Sequence, residues 1–447
     1  MLLKSRGISL GTAVIAFLLF APALLAHAKL TRSDPVAGAR LDAAPRHITL
    51  VFTEKPEVAL SSVRLIGPGQ DTILLNSLRR DPGNELSLVA DVPPGTAAGS
   101  YRVLWTAAGS DGHPSHGSID FVVAPGQQAN APAPMSVDPV SEAETIAVAG
   151  AIGSILSRWL SFAACLVLVG VMTFRFLILP RMSPTGNDLF AHIASTNAAT
   201  LGIVAAVGGL LAAMLKLARE SSDMPDVPVA SMMFDSVWGW SLLLQIVGVV
   251  AAGLTLFMVH RAGESKQKFW LTALGATFVL AVSPALSSHA GASSVAWLAV
   301  PIDMIHIIVG GMWLGTLAVI VIVGISAALK TPDALRPGAR VADMINAFSP
   351  LALICGGAVV LTGIGSSLIE VPTLASLWTT PYGVVLLLKL FFVALLFAAG
   401  AWNWRRMKPR LTGDNEIAPL RSSASLELML AVAVLAVTAI LVALELP

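Results

Sequence analysis

The chain has 447 residues, of which 55% are hydrophobic and only 12% are charged. Soluble globular proteins carry about 25% charged residues, so this chain cannot cover a water-facing surface, and most of it belongs in lipid. Its net charge of +1 does not provide the positive surface potential on which nucleic-acid binding depends, so we expect no nucleic acid as a partner. The two cysteines, Cys165 and Cys355, lie inside apolar runs, which excludes a disulfide framework and a Cys-x-x-Cys site. No Walker motif is present, so we expect no nucleotide as a partner.

Residues 1–26 have the features of a secretory signal peptide, with a basic start and an apolar stretch over 8–20. Cleavage after Ala28 would fit the Ala-x-Ala rule. Cleavage after Ala26 would instead make His27 the amino terminus. An uncleaved anchor helix is the alternative interpretation.

Residues 27–124 have the pattern of a water-soluble all-β domain. Short β-branched or alternating runs, separated by Pro- and Gly-rich turns, lie at 48–53, 62–66, 86–92, 101–107 and 118–124. This spacing predicts an immunoglobulin-like sandwich with Greek-key connections. Residues 125–145 are rich in Ala and Pro and are predicted to be a linker.

Residues 146–447 form the predicted membrane domain, an all-α bundle. Its apolar stretches are long enough to cross about 30 Å of hydrocarbon. We predict eight spans, at roughly 152–178, 197–218, 238–259, 268–288, 302–325, 348–369, 382–403 and 425–445. Basic residues follow the odd-numbered spans, whereas the opposite loops hold Lys216 and Arg219 offset by Glu220, Asp223 and Asp226. The basic loops are therefore expected in the cytoplasm, and the β domain and both ends of the mature chain outside.

A faint internal repeat relates the two halves of the membrane domain. The segment that begins Trp238-Gly239 resembles the one that begins Tyr382-Gly383, and Gly170 aligns with Gly315 at nearly the same offset. Each half would have four spans, an even number, so the second half would start on the same side of the membrane as the first and the duplication would be parallel. Apolar helices also match by chance, which is the alternative.

Histidines and one carboxylate form the candidate metal site of the first domain. His27, Asp111, His113 and His116 together would supply a nitrogen-rich set that suits Cu(II). No methionine or cysteine occurs between residues 27 and 134, which argues against a soft Cu(I) site. Asp, Gly and Pro also favour turns, so a plain turn with solvated histidines is the alternative.

Motifs of the first domain resemble the CopC family of periplasmic copper-binding proteins. The matching motifs are His27-Ala28-Lys29-Leu30, Ser33-Asp34-Pro35, Leu50-Val51-Phe52-Thr53-Glu54 and Asp111-x-His113-Pro114. The resemblance implies a mature chain that starts at His27 and a Cu(II) site made by His27, Asp111 and His113. His116 would be an additional ligand or a solvated neighbour.

The membrane domain resembles the CopD family. The matching motifs are Ser288-His289-Ala290, Asp303-x-x-His306, Trp313-x-Gly315, Phe348-Ser349, Thr362-Gly363, Pro381-Tyr382-Gly383, Leu388-Lys389, Asn403 and Glu427. The resemblance implies a CopC–CopD fusion in the bacterial inner membrane, with the first domain in the periplasm and a role in copper uptake and tolerance. It makes the copper ion, the lipid bilayer and periplasmic copper chaperones the expected partners.

Ionisable residues inside the spans are the candidates for a membrane copper pathway, because such residues are costly in lipid and usually functional. Asp303 and His306 share a helix face one turn apart, and His289 ends the preceding span on the same side. A buried structural pair is the alternative. Met304 and Met312 follow on the same helix and are either thioether ligands for Cu(I) or ordinary packing residues. Lys389 and Glu427 lie in spans seven and eight and could pair with each other or gate the pathway.

Three functions are compatible with these residues. The first is copper binding and transport without enzymatic activity. The second is a copper-brace oxidoreductase, since an amino-terminal histidine with a second histidine resembles that site. The third is a haem-bearing electron carrier, for which His289 and His306 lie at one depth but no second pair is evident.

Overall fold

The computed structural model describes residues 29–75, 77–109, 112, 114–124, 142–183, 188–261, 266–288, 295–331, 337–407, 417–444 and 446. The predicted signal peptide and residues 125–141 of the predicted linker lie outside this range. The first helix begins at Glu142, inside the segment predicted as linker.

The first domain is a two-sheet β-sandwich, as predicted. Its strands are β1 (Leu30–Asp34), β2 (Ala39–Leu41), β3 (His47–Phe52), β4 (Ser62–Ile66), β5 (Thr72–Leu74), β6 (Arg79–Asp81), β7 (Asn84–Asp91), β8 (Gly99–Ala108) and β9 (Pro114–Val123). One sheet has the order β1-β3-β7-β6 and the other β2-β9-β8-β4-β5. The domain has its own core, in which Trp105 meets Phe52 edge-on at 5.3 Å and Tyr101 stacks on Phe121 at 5.4 Å.

Eight helices in the described part of the chain are long and apolar enough to span a membrane, as predicted. We call them spans one to eight: Ile152–Met182, Leu189–Asp223, Val237–Arg261, Lys266–Leu286, Ala296–Lys330, Pro337–Glu370, Pro381–Arg405 and Pro419–Leu441. Span two continues to Asp223, so Lys216 and Arg219 lie within a helix and not in the loop predicted for them. Burial explains this difference, because Lys216 donates to the amide oxygen of Gln245 in span three, at 3.3 Å.

The two halves of the membrane domain repeat several structural details. Gly239 and Gly383 occupy the first turns of spans three and seven, and each packs against the backbone of a short preceding helix, Val229–Phe234 or Ser376–Thr379. A β-carbon at either glycine would lie 2.1 Å from a carbonyl oxygen of that helix. Gly170 and Gly315 pack directly against each other where spans one and five meet. These matched positions support a parallel four-plus-four duplication.

The β-sandwich is docked on the loop between spans two and three. A shared apolar cluster joins the two domains; it contains Leu60, Ala108, Ala213, Met224, Val227, Met232, Met233, Trp238 and Leu242. Arg64 of β4 forms a salt bridge with Asp226. The carboxylate of Glu57 accepts a hydrogen bond from the Val237 amide at 3.0 Å, so the first domain caps the amino terminus of span three.

Candidate metal centres

The turn between β8 and β9 carries the predicted metal residues of the first domain. The Gly112 amide donates to the Gly109 carbonyl at 3.0 Å, which closes the predicted turn. Gly112 adopts a left-handed backbone conformation, with φ 80, and lies against the indole ring of Trp238. Asp111 and His113, its two chain neighbours, lie outside the described residues, as does His27.

Backbone contacts bring the start of the domain and this turn to the same end of the sandwich. The Lys29 amide donates to Thr53 Oγ1 at 3.0 Å, and the Thr53 amide donates back to the Lys29 carbonyl at 2.9 Å. Four residues later, the Glu57 amide donates to the Ala108 carbonyl at 2.8 Å. Four residues span at most about 14 Å. Lys29 and Ala108, the last residue of β8 before the turn, therefore lie toward the same end of the sandwich.

His116 lies inside β9 and not in the turn. Its ring is exposed, and its Nδ1 lies 3.0 Å from Thr106 Oγ1 on β8. Partial desolvation by the surrounding protein lowers the pKa of His116, and the nearby Asp223 carboxylate opposes that shift. A hydroxyl partner thus occupies one ring nitrogen and leaves Nε2 for another contact. His47, by contrast, forms an exposed ion pair with Asp91 at 2.7 Å.

Asp303 and His306 belong to a polar cluster where span four ends and span five begins, at the end predicted from the sequence to lie outside. Ser288 Oγ donates to Asp303 Oδ2 at 3.0 Å, and His306 Nδ1 lies 2.8 Å from Thr362 Oγ1. His289 follows Ser288 in the chain but lies outside the described residues. The structure therefore joins the end of span four to Asp303, as expected from the sequence.

Span seven adds a cation to this cluster. Lys389 is partly buried, and Asp303, Glu370 and His306 are its charged or titratable neighbours. Tyr382 donates to Glu370 Oε2 at 2.5 Å. Glu370 was not among the residues predicted from the sequence, although a carboxylate at the end of a 34-residue apolar helix was a usable signal. We define the outer cluster as Ser288, Asp303, His306, Thr362, Glu370, Tyr382 and Lys389.

Glu427 does not pair with Lys389, so that predicted alternative is wrong. Asn403 donates its side-chain amide to Glu427 Oε1, and Ser423 donates its hydroxyl to Asn403 Oδ1. Lys389 instead faces the carboxylates of the outer cluster. The reason is depth: Lys389 lies near the start of span seven, whereas Asn403 follows the end of its α-helix at Trp402.

The predicted methionines do not join the outer cluster. Met312 packs against the apolar core of the membrane domain. Met304 is two residues before His306 and so lies on the opposite side of the helix. Within the described ranges, no group of three or more His, Cys, Asp or Glu side chains is placed to hold a metal ion. Both candidate centres contain a histidine outside those ranges.

Family models match three parts of the chain. The model described as the CopC domain matches residues 30–124. The model described as the N-terminal domain of copper resistance protein D-like proteins matches residues 149–299, and that of copper resistance protein D matches residues 342–441. The chain is a CopC–CopD fusion. The resemblance proposed from the sequence is confirmed.

Several characterised proteins are similar to this CopC–CopD fusion. The copper transport protein CutJ of Bacillus subtilis strain 168 is 22% identical over 413 residues, which cover 90% of this chain and 72% of CutJ. Protein YobA of Escherichia coli K12 is 31% identical over 119 residues, covering 27% of this chain and 96% of YobA. Copper resistance protein C of Pseudomonas syringae pv. tomato is 32% identical over 103 residues, covering 22% of this chain and 81% of that protein.

The family boundaries follow the architecture of the fusion. The CopC match ends at Ala124, the residue after β9. The first CopD match covers spans one to four, and the second begins inside span six and ends with span eight. The two CopD-family matches thus fall on the two halves of the duplicated membrane domain.

Proposed function

We propose that this CopC–CopD fusion binds Cu(II) on the periplasmic side of the inner membrane and imports copper through its membrane domain. Membership of two copper-handling families supports copper as the cargo. The proposed mature protein consists of a CopC domain over 27–124, a linker that begins at residue 125 and a CopD domain that ends at residue 447; the helix that starts at Glu142 shortens the linker predicted over 125–145. Periplasmic copper chaperones are the proposed donors.

The observation that carries this proposal is the position of the turn between β8 and β9. Gly112 lies on Trp238 at the amino-terminal end of span three. Copper held by the flanking Asp111 and His113 is then presented to the membrane domain and not to bulk solvent. Glu57 and Arg64 hold the CopC domain in this orientation through Val237 and Asp226.

The proposed Cu(II) ligands of the CopC domain are His27, Asp111 and His113. A free amino-terminal histidine supplies its amine and its ring, and with a second imidazole and a carboxylate it completes a tetragonal set that favours Cu(II). His116 is the proposed neighbour and not a primary ligand, because it lies inside β9, beyond the turn that carries Asp111 and His113.

The outer cluster is the proposed entry site of the membrane domain. Asp303 and Glu370 supply two negative charges and Lys389 one positive charge, which leaves a net formal charge of −1 for an incoming cation. Asp303 and His306 face the site from span five, and His289 would complete it from the end of span four.

Cellular copper in a deletion strain tests the function and its direction. Import predicts that deletion lowers copper content under copper limitation and that the full chain restores it. A rise in copper on deletion would reverse the direction, and no change in either copper content or tolerance would contradict transport. The purified protein separates the two alternatives: a Soret band would favour a haem carrier, and copper-dependent oxidation of a polysaccharide would favour an oxidoreductase.

A further inference from the structure

The two duplicated halves of the membrane domain differ at one place. In the first half, spans two and three pack closely: Gln245 donates to the Gly209 carbonyl at 3.0 Å, and a β-carbon at Gly209 would meet Val249 at 2.8 Å. In the second half, a cleft of about 760 Å³ lies between the equivalent spans six and seven. Spans five and eight form its floor.

The cleft is lined mostly by apolar and aromatic side chains. Trp313, Phe348, Phe397 and Trp404 supply the rings, and Trp313 and Phe397 contact each other at 4.9 Å between centroids. Leu353 on the rim is 78% exposed, so the cleft opens sideways toward the surrounding lipid. Apart from the polar groups at one end, the lining offers an ion no replacement for its hydration, whereas a lipid-soluble molecule could enter from the bilayer.

A buried polar group marks the inner end of the cleft. Glu427 is only 7% exposed, and Asn403 orients it by donating to Oε1 while accepting from Ser423. The other carboxylate oxygen, Oε2, faces Gly400, where a β-carbon would lie 3.7 Å away. Glu427 is ten residues into the helix Ile417–Leu441, or about 15 Å from its start. One hydrogen-bond acceptor is thus oriented at the inner end of the cleft, beside the end of span seven.

The occupant must therefore be neutral, lipid-soluble and able to donate a hydrogen bond. A phosphate headgroup could pair with the exposed Arg405 at the same end of the cleft, but it would meet the Glu427 carboxylate as a like charge. A hydroxylated aromatic ring satisfies the carboxylate and stacks on the aromatic lining. We propose that this cleft is a binding site for one isoprenoid quinol, with a ring hydroxyl donating to Glu427 and the tail leaving between spans six and seven.

Two glycines provide a matched pair of variants. Gly357 lines the cleft, whereas Gly275 lies on the exposed side of span four; a β-carbon at either residue meets nothing within 4 Å. Gly357→Leu should fill the cleft, and Gly275→Leu should add the same side chain outside it. Both variants keep the outer cluster and the CopC domain intact.

The experiment uses the full chain in quinone-free phosphatidylcholine nanodiscs, with decylubiquinol added as the probe and bound masses measured by native mass spectrometry. We expect one saturable quinol per chain, at least tenfold weaker binding in Gly357→Leu, unchanged binding in Gly275→Leu and about tenfold weaker binding in Glu427→Gln. Thermal unfolding of each variant shows whether the fold is kept. Unsaturable binding, equal binding by the two glycine variants or retention of phospholipid alone would overturn the proposal. Copper transport plays no part in this readout, so the result is independent of the proposed function.

Discussion

Gly112 of the CopC domain and Trp238 of span three are in direct contact. A β-carbon at residue 112 would lie 2.2 Å from Cδ1 of the indole ring, and Gly112 also has φ 80, a conformation that favours glycine. The close approach of Trp238 and the positive φ both favour glycine at this position, which lies between the two predicted copper ligands of the turn. The turn that carries the predicted copper ligands and the docking surface are therefore parts of one structural element.

The first prediction concerns this contact. Gly112→Ala should separate the CopC domain from the membrane domain, because the added methyl group overlaps the buried Trp238 ring. Gly95→Ala is the matched control: Gly95 has φ 87 but open space around its α-carbon, so it carries the backbone strain without the clash. Hydrogen exchange of the backbone over 229–237 should become faster in Gly112→Ala only. Equal exchange in both variants would mean that the contact does not hold the domains together.

The second prediction concerns the salt bridge between Arg64 and Asp226. The pair is partly buried, so each single alanine variant should weaken the docking of the CopC domain. The double variant should lose less docking free energy than the sum of the losses in the two single variants. We expect a coupling energy of about 1 kcal/mol, which falls as salt is added. The same hydrogen-exchange measurement at two salt concentrations completes the double-mutant cycle. Strict additivity would show that the two charges act independently.

The third prediction ranks the copper ligands of the CopC domain, which has its own hydrophobic core and can be produced alone. His113→Ala and Asp111→Ala should weaken Cu(II) binding by at least a hundredfold, and His116→Ala by less than tenfold. Affinity should fall on acidification because the amine and imidazoles must be deprotonated to bind. Desolvation holds the pKa of His116 below its ordinary value, so this ring stays neutral to lower pH than a free imidazole. Competition titration against a chelator measures all three variants, and a larger loss in His116→Ala would reassign the site.

The fourth prediction is that the mature chain begins at His27. The Lys29 backbone is held on Thr53 by two hydrogen bonds, which leaves two residues upstream to reach the metal turn. Intact-mass measurement of the membrane-extracted protein gives the cleavage point directly. A mature chain that begins at Lys29 would lack the terminal histidine and remove the proposed Cu(II) ligand set.

The sequence predicted features set by local pattern and missed those set by packing between distant segments. The eight spans and the five predicted strands, β3, β4, β7, β8 and β9, have a strong hydrophobic pattern of their own, whereas β1 was not predicted. Strand β5 (Thr72–Leu74) is short and exposed, so it forms only because β4 offers an edge for pairing. Asp303 and His306 were found because they lie one turn apart on one helix. Glu370, at the end of span six, reaches the cluster only because spans five, six and seven pack together in the folded protein. The cleft beside Glu427 has no local pattern, because it is a gap between helices.

The fifth prediction concerns His306 in the outer cluster. His306→Ala should abolish copper-dependent uptake in the deletion strain, because it removes an imidazole that Thr362 holds 2.8 Å away in the proposed entry site. Thr362→Val should reduce uptake only in part, since it removes the orienting hydroxyl and keeps the ligand. His192→Ala is the control, because His192 is exposed near the start of span two, far along the chain from the outer cluster. Protein levels in the membrane must match among the variants, since loss of His306 could also disturb its neighbours. Normal copper accumulation by a well-expressed His289/His306 double-alanine variant would reduce Asp303 and His306 to a structural pair.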